Sequence, residues 1–185
     1  MLRLNRNGTV PGDNPFVGQA SVRPEIWSYG HRNPQGAALD LEGRRWVNEH
    51  GARGGDDVNL IARGTNYGWP VISCGRHYSG RKIGEGMAKP GMEQPMRYRD
   101  PFIAASGLVI CSGALWSEWR GHLFSGSLNS GFLSRLDPAA GFAEERLEAP
   151  RTGRVRDLRE GPDGAIWFLS VTDRALYRIL PETRQ

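Results

Sequence analysis

The sequence predicts an all-β fold, a β-propeller of about three blades, on three observations. Strand-like runs are short and are separated by turn signals throughout the 185 residues. No window carries a 3.6-residue apolar period for more than two turns, so no long amphipathic helix is expected. A turn feeding an apolar strand recurs along the chain, which is the mark of a repeat architecture.

The runs follow in order. Glu25 to Tyr29, Ala37 to Asp40, Arg45 to Glu49 and Asn59 to Ile61 come first. Leu108 to Cys111, His122 to Ser127 and Phe132 to Leu136 come next, and Arg154 to Arg159, Ala165 to Ser170 and Ala175 to Leu180 close the series. Each is bounded by Gly, Pro, Asn or Asp, which suit turns better than strands. The repeat shows in Leu41-Glu42-Gly43-Arg44-Arg45-Trp46-Val47, in Arg120-Gly121-His122-Leu123-Phe124 and in Pro162-Asp163-Gly164-Ala165-Ile166-Trp167-Phe168. Trp46 to Leu123 spans 77 positions and Leu123 to Trp167 spans 44. The second spacing suits a four-stranded blade of about 40 to 50 residues. The first needs an insertion, expected in the irregular stretch Cys74 to Arg99. Three blades cannot close a ring, because closed propellers have about four to eight.

Glycine and proline number 25 and 12, and apolar residues, six Trp among them, are spread throughout. This is the composition of a turn-rich folded protein, with disorder expected only at Pro181 to Gln185. The formal charge of +4 comes from arginine, since Lys82 and Lys89 are the only lysines. Arginine favours planar pairing with carboxylate or phosphate. No basic stripe interleaved with aromatics points to nucleic acid, and no apolar run reaches the roughly 18 residues of a membrane span. Met1-Leu2-Arg3-Leu4 lacks the apolar stretch that would make it a signal peptide. Cys74 and Cys111 fit either a single disulfide or two free thiols, and their spacing does not suggest zinc.

Three blocks dense in Gly, Asn, Asp and His stand out. They are Gly30-His31-Arg32-Asn33-Pro34-Gln35-Gly36, Glu49 to Ile61, and Asn66-Tyr67-Gly68-Trp69-Pro70. Such residues suit places where backbone approaches a turn, an ion or a planar ligand. Around Pro34, the side chains of Arg32, Asn33 and Gln35 form either a capped turn or a set of donors facing one ligand. Arg154 and Arg156 alternate, so both project from one strand face. Two like charges there are costly unless an anion lies between them; otherwise they guard an exposed edge. Asp56 and Asp57 make either a solvated turn or part of a cation site. The tryptophans Trp69, Trp116, Trp119 and Trp167 read as blade-packing residues.

These blocks, with Tyr78-Ser79-Gly80, Ile103-Ala104-Ala105-Ser106-Gly107 and Arg154-Val155-Arg156-Asp157, resemble the soluble pyrroloquinoline quinone (PQQ)-dependent aldose sugar dehydrogenases. The likeness runs from about Leu2 to Pro181 and covers the C-terminal half of that family only. It implies a six-bladed propeller of which about three blades are present, over residues 1–181, with 182–185 as a tail. It implies PQQ and calcium as cofactors and an aldose as substrate, oxidised at its C1 hydroxyl to a lactone. The implied PQQ contacts are Arg32, Asn33, Gln35, Arg154 and Arg156. Asn129 stands where the family carries a lysine, which removes a charge from the carboxylate grip. The implied calcium ligands are the carbonyls of Gly51 and Ala52, with Ala52 replacing the family's proline. Asp56, Asp57 and Tyr67 resemble a further, structural calcium site.

No catalytic residue is expected in this chain. The family's basic histidine lies in the other half, His31 stands at a non-catalytic position, and His50 reads as a structural hydrogen-bonder. The resemblance also implies a periplasmic or secreted protein that works with an N-terminal half or, as a homodimer, with a second copy. The alternative is a non-enzymatic half-propeller that serves as a binding or self-assembly module.

Overall fold

The computed structural model describes residues 1–181, so the expected tail at 182–185 lies outside the described residues. Three antiparallel sheets stand side by side. The first holds β1 (Pro34–Leu39), β2 (Arg45–Glu49), β3 (Asp56–Ile61) and β4 (Arg97–Arg99). The second holds β5 (Ala105–Ile110), β6 (Leu123–Ser127), β7 (Leu133–Asp137) and β8 (Ala143–Leu147). The third is made of β9 (Val155–Glu160), β10 (Ile166–Ser170) and β11 (Ala175–Ile179). Each sheet is a meander in chain order, and β1, β5 and β9 pack against one another as the inner strands of adjacent blades. The all-β propeller reading holds.

The repeat has a physical basis at the start of each second strand. Gly43, Gly121 and Gly164 have φ of 78°, 81° and 76°, a turn conformation that side chains resist. Three residues later come Trp46, Phe124 and Trp167. Trp46 leans on the second blade, packing with Leu108, Ile110, Leu123, Leu136 and Phe142. Phe124 does the same toward the third, joining Val155, Leu158, Ile166 and Phe168. The counterpart of Trp46 is therefore Phe124, one residue after the Leu123 that the sequence pattern suggests. The turn before the strand is anchored by acid: Asp40 Oδ2 accepts from the indole of Trp46 at 2.8 Å and from Arg44 Nε at 2.6 Å. Asp163 takes the same place beneath Trp167, 3.4 Å from its indole nitrogen.

The core thus lies between blades rather than within one sheet. The inner strands approach closely enough to exclude side chains. A Cβ on Gly36 would stand 2.4 Å from the backbone nitrogen of Leu108, and one on Gly107 would stand 2.9 Å from the Cα of Asp157. On the far side of the first blade, Met1 and Trp27 cover Val47, Ile61 and Tyr67.

Two expectations need correction, two strands escape the sequence reading, and the cysteine alternatives are decided. Glu25 to Tyr29 is not a strand: it makes only single bridges, from Ile26 to Leu2 and from Tyr29 to Asn66, because the chain turns at Arg23–Ile26. The long inter-repeat insertion runs from 62 to 96, between β3 and β4, and Arg97–Arg99 returns to the sheet as its outer strand. β4 and β8 escape a search for apolar alternation because they are short, charged edge strands, Arg-Tyr-Arg and Ala-Glu-Glu-Arg-Leu. Cys74 and Cys111 are both free thiols.

Candidate functional site

The line Gly36, Gly107, Asp157 sets β1, β5 and β9 in register, so all three begin at the same rim. Each carries a bulge within its first residues. Pro34 pairs with Glu49 and Gly36 with Asn48, which leaves Gln35 as the extra residue. Ser106 and Gly107 oppose Gly126 alone, between the Ala105–Ser127 and Leu108–Ser125 pairs. Val155 pairs with Ser170 and Asp157 with Leu169, which leaves Arg156 extra. A bulge bends the strand and re-aims its side chain. Two of the expected cofactor residues, Gln35 and Arg156, are thus the odd residues of two bulges.

Glu49, at the rim end of β2, organises the first cluster. Its Oε1 lies 2.6 Å from His31 Nδ1, and its Oε2 accepts from the backbone N–H of Arg32 at 2.8 Å and of Asn33 at 3.1 Å. His31 Nε2 meets Ser28 Oγ at 2.8 Å and its ring stacks on Tyr67, with centroids 4.6 Å apart. The His31 and Glu49 side chains are only 6% and 4% exposed. Both ring nitrogens of His31 are engaged, and through Glu49 it ties Ser28 to the Arg32–Asn33 turn.

Arg32 leaves that turn with its guanidinium above Trp69, 5.3 Å from the ring centroid. Its Nη1 donates to the carbonyls of His50 and Gly51 at 2.7 and 2.8 Å. Its Nε and the Nε2 of His50 are buried without a partner. Asn33 and Gln35 pair with each other, Nε2 to Oδ1 at 2.9 Å, beside it. The second cluster forms across the blades. Arg154 and Arg156 are exposed on either side of buried Val155. Arg154 Nε donates to the carbonyl of Leu128 at 2.9 Å, next to exposed Asn129. The rim therefore brings Arg32, Asn33 and Gln35 together at one blade, and Arg154, Arg156 and Asn129 together at the other two.

The expected metal ligands fare differently. Asp56 Oδ1 accepts from Gly51 N–H, and Oδ2 accepts from the N–H groups of Ile103 and Ala105. Its carboxylate is spent on tying the first blade to the second, so its role is structural. The phenol of Tyr67 donates to the carbonyl of Leu60 and accepts from Ala62 N–H. Asp57 lines a small cavity of about 40 Å³ with Glu49, His50 and Tyr67. Burial pushes the Asp57 carboxyl well above its ordinary value, and the nearby charge of Glu49 adds to that. Among the described residues no group of three or more His, Cys, Asp or Glu is placed to hold a metal. Asp56, Asp57 and Tyr67 are not gathered into one ligand set.

Two residues here escape the sequence reading. Glu49 was visible only as the first letter of the Glu-His-Gly block, and nothing local shows that it faces the Gly30–Gly36 turn. Trp69 carries Arg32 rather than packing blades. Trp116 and Trp119 do pack as expected, stacked on each other at 4.2 Å, with Trp119 tilted over Phe124 at 5.4 Å.

The family model for glucose/sorbosone dehydrogenase matches residues 1–178. The aldose sugar dehydrogenase YliI of Escherichia coli (strain K12) is 40% identical over 175 residues, which is 92% of this chain and 47% of that protein. A crystal structure of a glucose dehydrogenase superposes with a TM-score of 0.91 at 44% identity, over 98% of this chain and 54% of the other. The PQQ-bound aldose sugar dehydrogenase of Streptomyces coelicolor superposes with a TM-score of 0.68 at 26% identity, over 91% of this chain and 45% of the other. The chain spans about half the length of the relatives it matches.

Proposed function

Since the chain belongs to the glucose/sorbosone dehydrogenase family, we propose that it forms the cofactor-gripping half of a quinoprotein that oxidises the C1 hydroxyl of an aldose to a lactone. One observation supports this most: Arg32 is held rigidly with a buried, unpartnered Nε, on the rim that also exposes Arg154 and Arg156. A flat tricarboxylate fits that donor set, because arginine forks match carboxylates. PQQ, when bound, supplies the ortho-quinone that accepts a hydride.

The chain's own residues would bind and orient it. Arg154 and Arg156, whose charges repel in isolation, would each meet a carboxylate. Asn33 and Gln35 would give amide donors to ring oxygens, and Asn129 one uncharged donor. Trp69 keeps Arg32 in plane. His31 is taken up with Glu49 and Ser28 in fixing the turn that carries Arg32, and this reading leaves the base to the rest of the enzyme.

Calcium does not fit the rim equally well. The carbonyl of Gly51 accepts from the Arg32 guanidinium, a cation already in the place where a second would sit. The Ala52 carbonyl remains as the other implied ligand. A periplasmic or secreted location follows from the resemblance; among the described residues no helix is long and apolar enough to cross a membrane.

The test is titration of the purified chain with PQQ, with and without calcium, followed by absorbance and thermal shift. Saturable binding that Arg32→Ala and Arg156→Ala weaken is the expected result. Binding indifferent to both variants, or none even when the missing half is supplied, overturns the reading. Sugar-dependent dye reduction by this chain alone, at the rate of a full-length relative, would overturn the placement of the base. A second reading, a self-assembling or partner-binding half-propeller, draws on the open third blade. Sedimentation separates the two, since a monomer excludes ring closure by two copies.

A further inference from the structure

On the outer side of the first blade, a cavity of about 820 Å³ opens between its edge and β8 of the second. That volume suits a small-molecule site. Five of its lining residues are cationic, Arg76, Lys82, Arg97, Arg99 and Arg146, against two acids, Asp100 and Glu144. Arg99 is the buried one, at 4% exposure. Its Nε donates to Glu144 Oε1 at 2.6 Å and its Nη2 to Ser134 Oγ at 2.7 Å. Its Nη1 is buried with no acceptor.

A buried donor on a charged group is costly to leave without an acceptor. The two bonds to Glu144 and Ser134 pin the planar fork, so Nη1 cannot turn away to find an acceptor. Glu144, shared among Arg99, Ser134 and Arg146, offsets with Asp100 only two of the five positive charges. The cavity also has an apolar side, where Met87, Met96 and Tyr98 are 48%, 46% and 43% exposed. None of the rim arginines, Arg32, Arg154 or Arg156, lines it.

We propose that this cavity binds a small organic anion. The charged head answers Arg99 with Arg97 and Arg146, and the apolar body lies on Met87, Met96 and Tyr98. The cavity shares Ser73, Cys74, Met87 and Pro95 with the small cavity that Arg32 lines, but its cationic residues are distinct from those of the rim, and the proposal stands whether or not PQQ binds there.

Phenyl phosphate carries both parts of such a ligand, inorganic phosphate only the head and phenol only the body. In calorimetric titrations at low ionic strength, where exposed charges are least screened, phenyl phosphate is expected to fill one site. It should bind at least tenfold tighter than either part. The double variant Arg97→Ala/Arg146→Ala should weaken it at least tenfold, while Arg154→Ala/Arg156→Ala should leave it unchanged. Arg97 and Arg146 are both exposed, so their removal spares the fold, and circular dichroism checks this. No saturable binding, or binding that survives loss of Arg97 and Arg146, overturns the proposal. Loss through Arg154 and Arg156 places the anion on the rim and overturns it equally. Phosphate binding as tightly as phenyl phosphate removes the apolar contact from it.

Discussion

Gln35 and Arg156 occupy the same place in two different blades: each is the unpaired residue of a bulge at the start of an inner strand. Neither side chain is needed to close its sheet, so both are free to serve a ligand at the rim. Arg156→Ala is therefore expected to leave the unfolding midpoint unchanged. It should lower PQQ affinity by about ten- to a hundredfold, the worth of a hydrogen bond to a charged group at about 1.5–3 kcal/mol. Equilibrium dialysis against PQQ, beside a urea melt of the same protein, gives both readings. A variant that loses stability and keeps affinity would make Arg156 a structural residue.

Glu49 is the opposite case, a residue whose removal should damage both. It satisfies His31 and two backbone N–H groups from inside the protein. Breaking a buried pair by deleting one partner costs about 3–5 kcal/mol, so Glu49→Ala should shift the urea midpoint by that order. Glu49→Gln keeps an acceptor for the turn and should cost less. Equal, small effects from both substitutions would show that the turn at Arg32–Asn33 is held by other contacts.

The contrast between these residues shows what was legible in the sequence. Blade number and the hairpin glycines could be read because each leaves a local mark, a turn before an apolar strand. Glu49 could not, because its partners lie 16 to 18 positions away and meet it only through the β1–β2 pairing. The bulges were equally hidden, since a one-residue excess appears only when two strands are laid side by side. β4 and β8 failed for another reason: outer strands of a blade face solvent, so selection for an apolar face is weak there. Asp56 shows the limit of reading residue types alone. Two adjacent acids suggest a cation, yet backbone N–H groups take both of its oxygens, Gly51 of its own blade one and Ile103 and Ala105 at the start of the next blade the other.

Asp57 should make stability depend on pH. Its carboxyl is raised well above 3.8 by burial, with Glu49 adding repulsion. The folded protein then binds that proton more tightly than the unfolded chain does. The contribution is full below the ordinary carboxylate value and is lost as pH rises through the folded pKa. Asp57→Asn removes the titration, so the variant should gain on the parent as pH rises from 4 to 8. Urea midpoints measured in the presence of a chelator test this, and parallel pH profiles for the two proteins would refute it.

Gly36→Ala should be among the worst single-methyl additions in the chain. The new Cβ would meet the Leu108 nitrogen at 2.4 Å and the Ser106 carbonyl oxygen at 2.7 Å, both backbone atoms of the next inner strand. Overpacking costs about 1–3 kcal/mol where side chains can yield, and here none is available to yield. A loss of at least about 2 kcal/mol in urea unfolding is expected. A near-neutral result would mean that blades slide past each other more freely than the line Gly36, Gly107, Asp157 allows.

The third blade carries the last consequence of the same repeat. Trp46 and Phe124 each lean on a following sheet, and Trp167, at the equivalent position, has none among the described residues. On the same face Leu169 and Leu176 are 46% and 57% exposed, beside the unpaired edge of β11. Apolar surface next to an open strand edge favours association. The isolated chain should therefore self-associate as its concentration rises, and Leu169→Lys/Leu176→Lys should suppress this in light scattering without lowering the thermal midpoint. Since both side chains point away from the core of the second and third blades, a variant that unfolds instead would show that this face is already packed within one molecule.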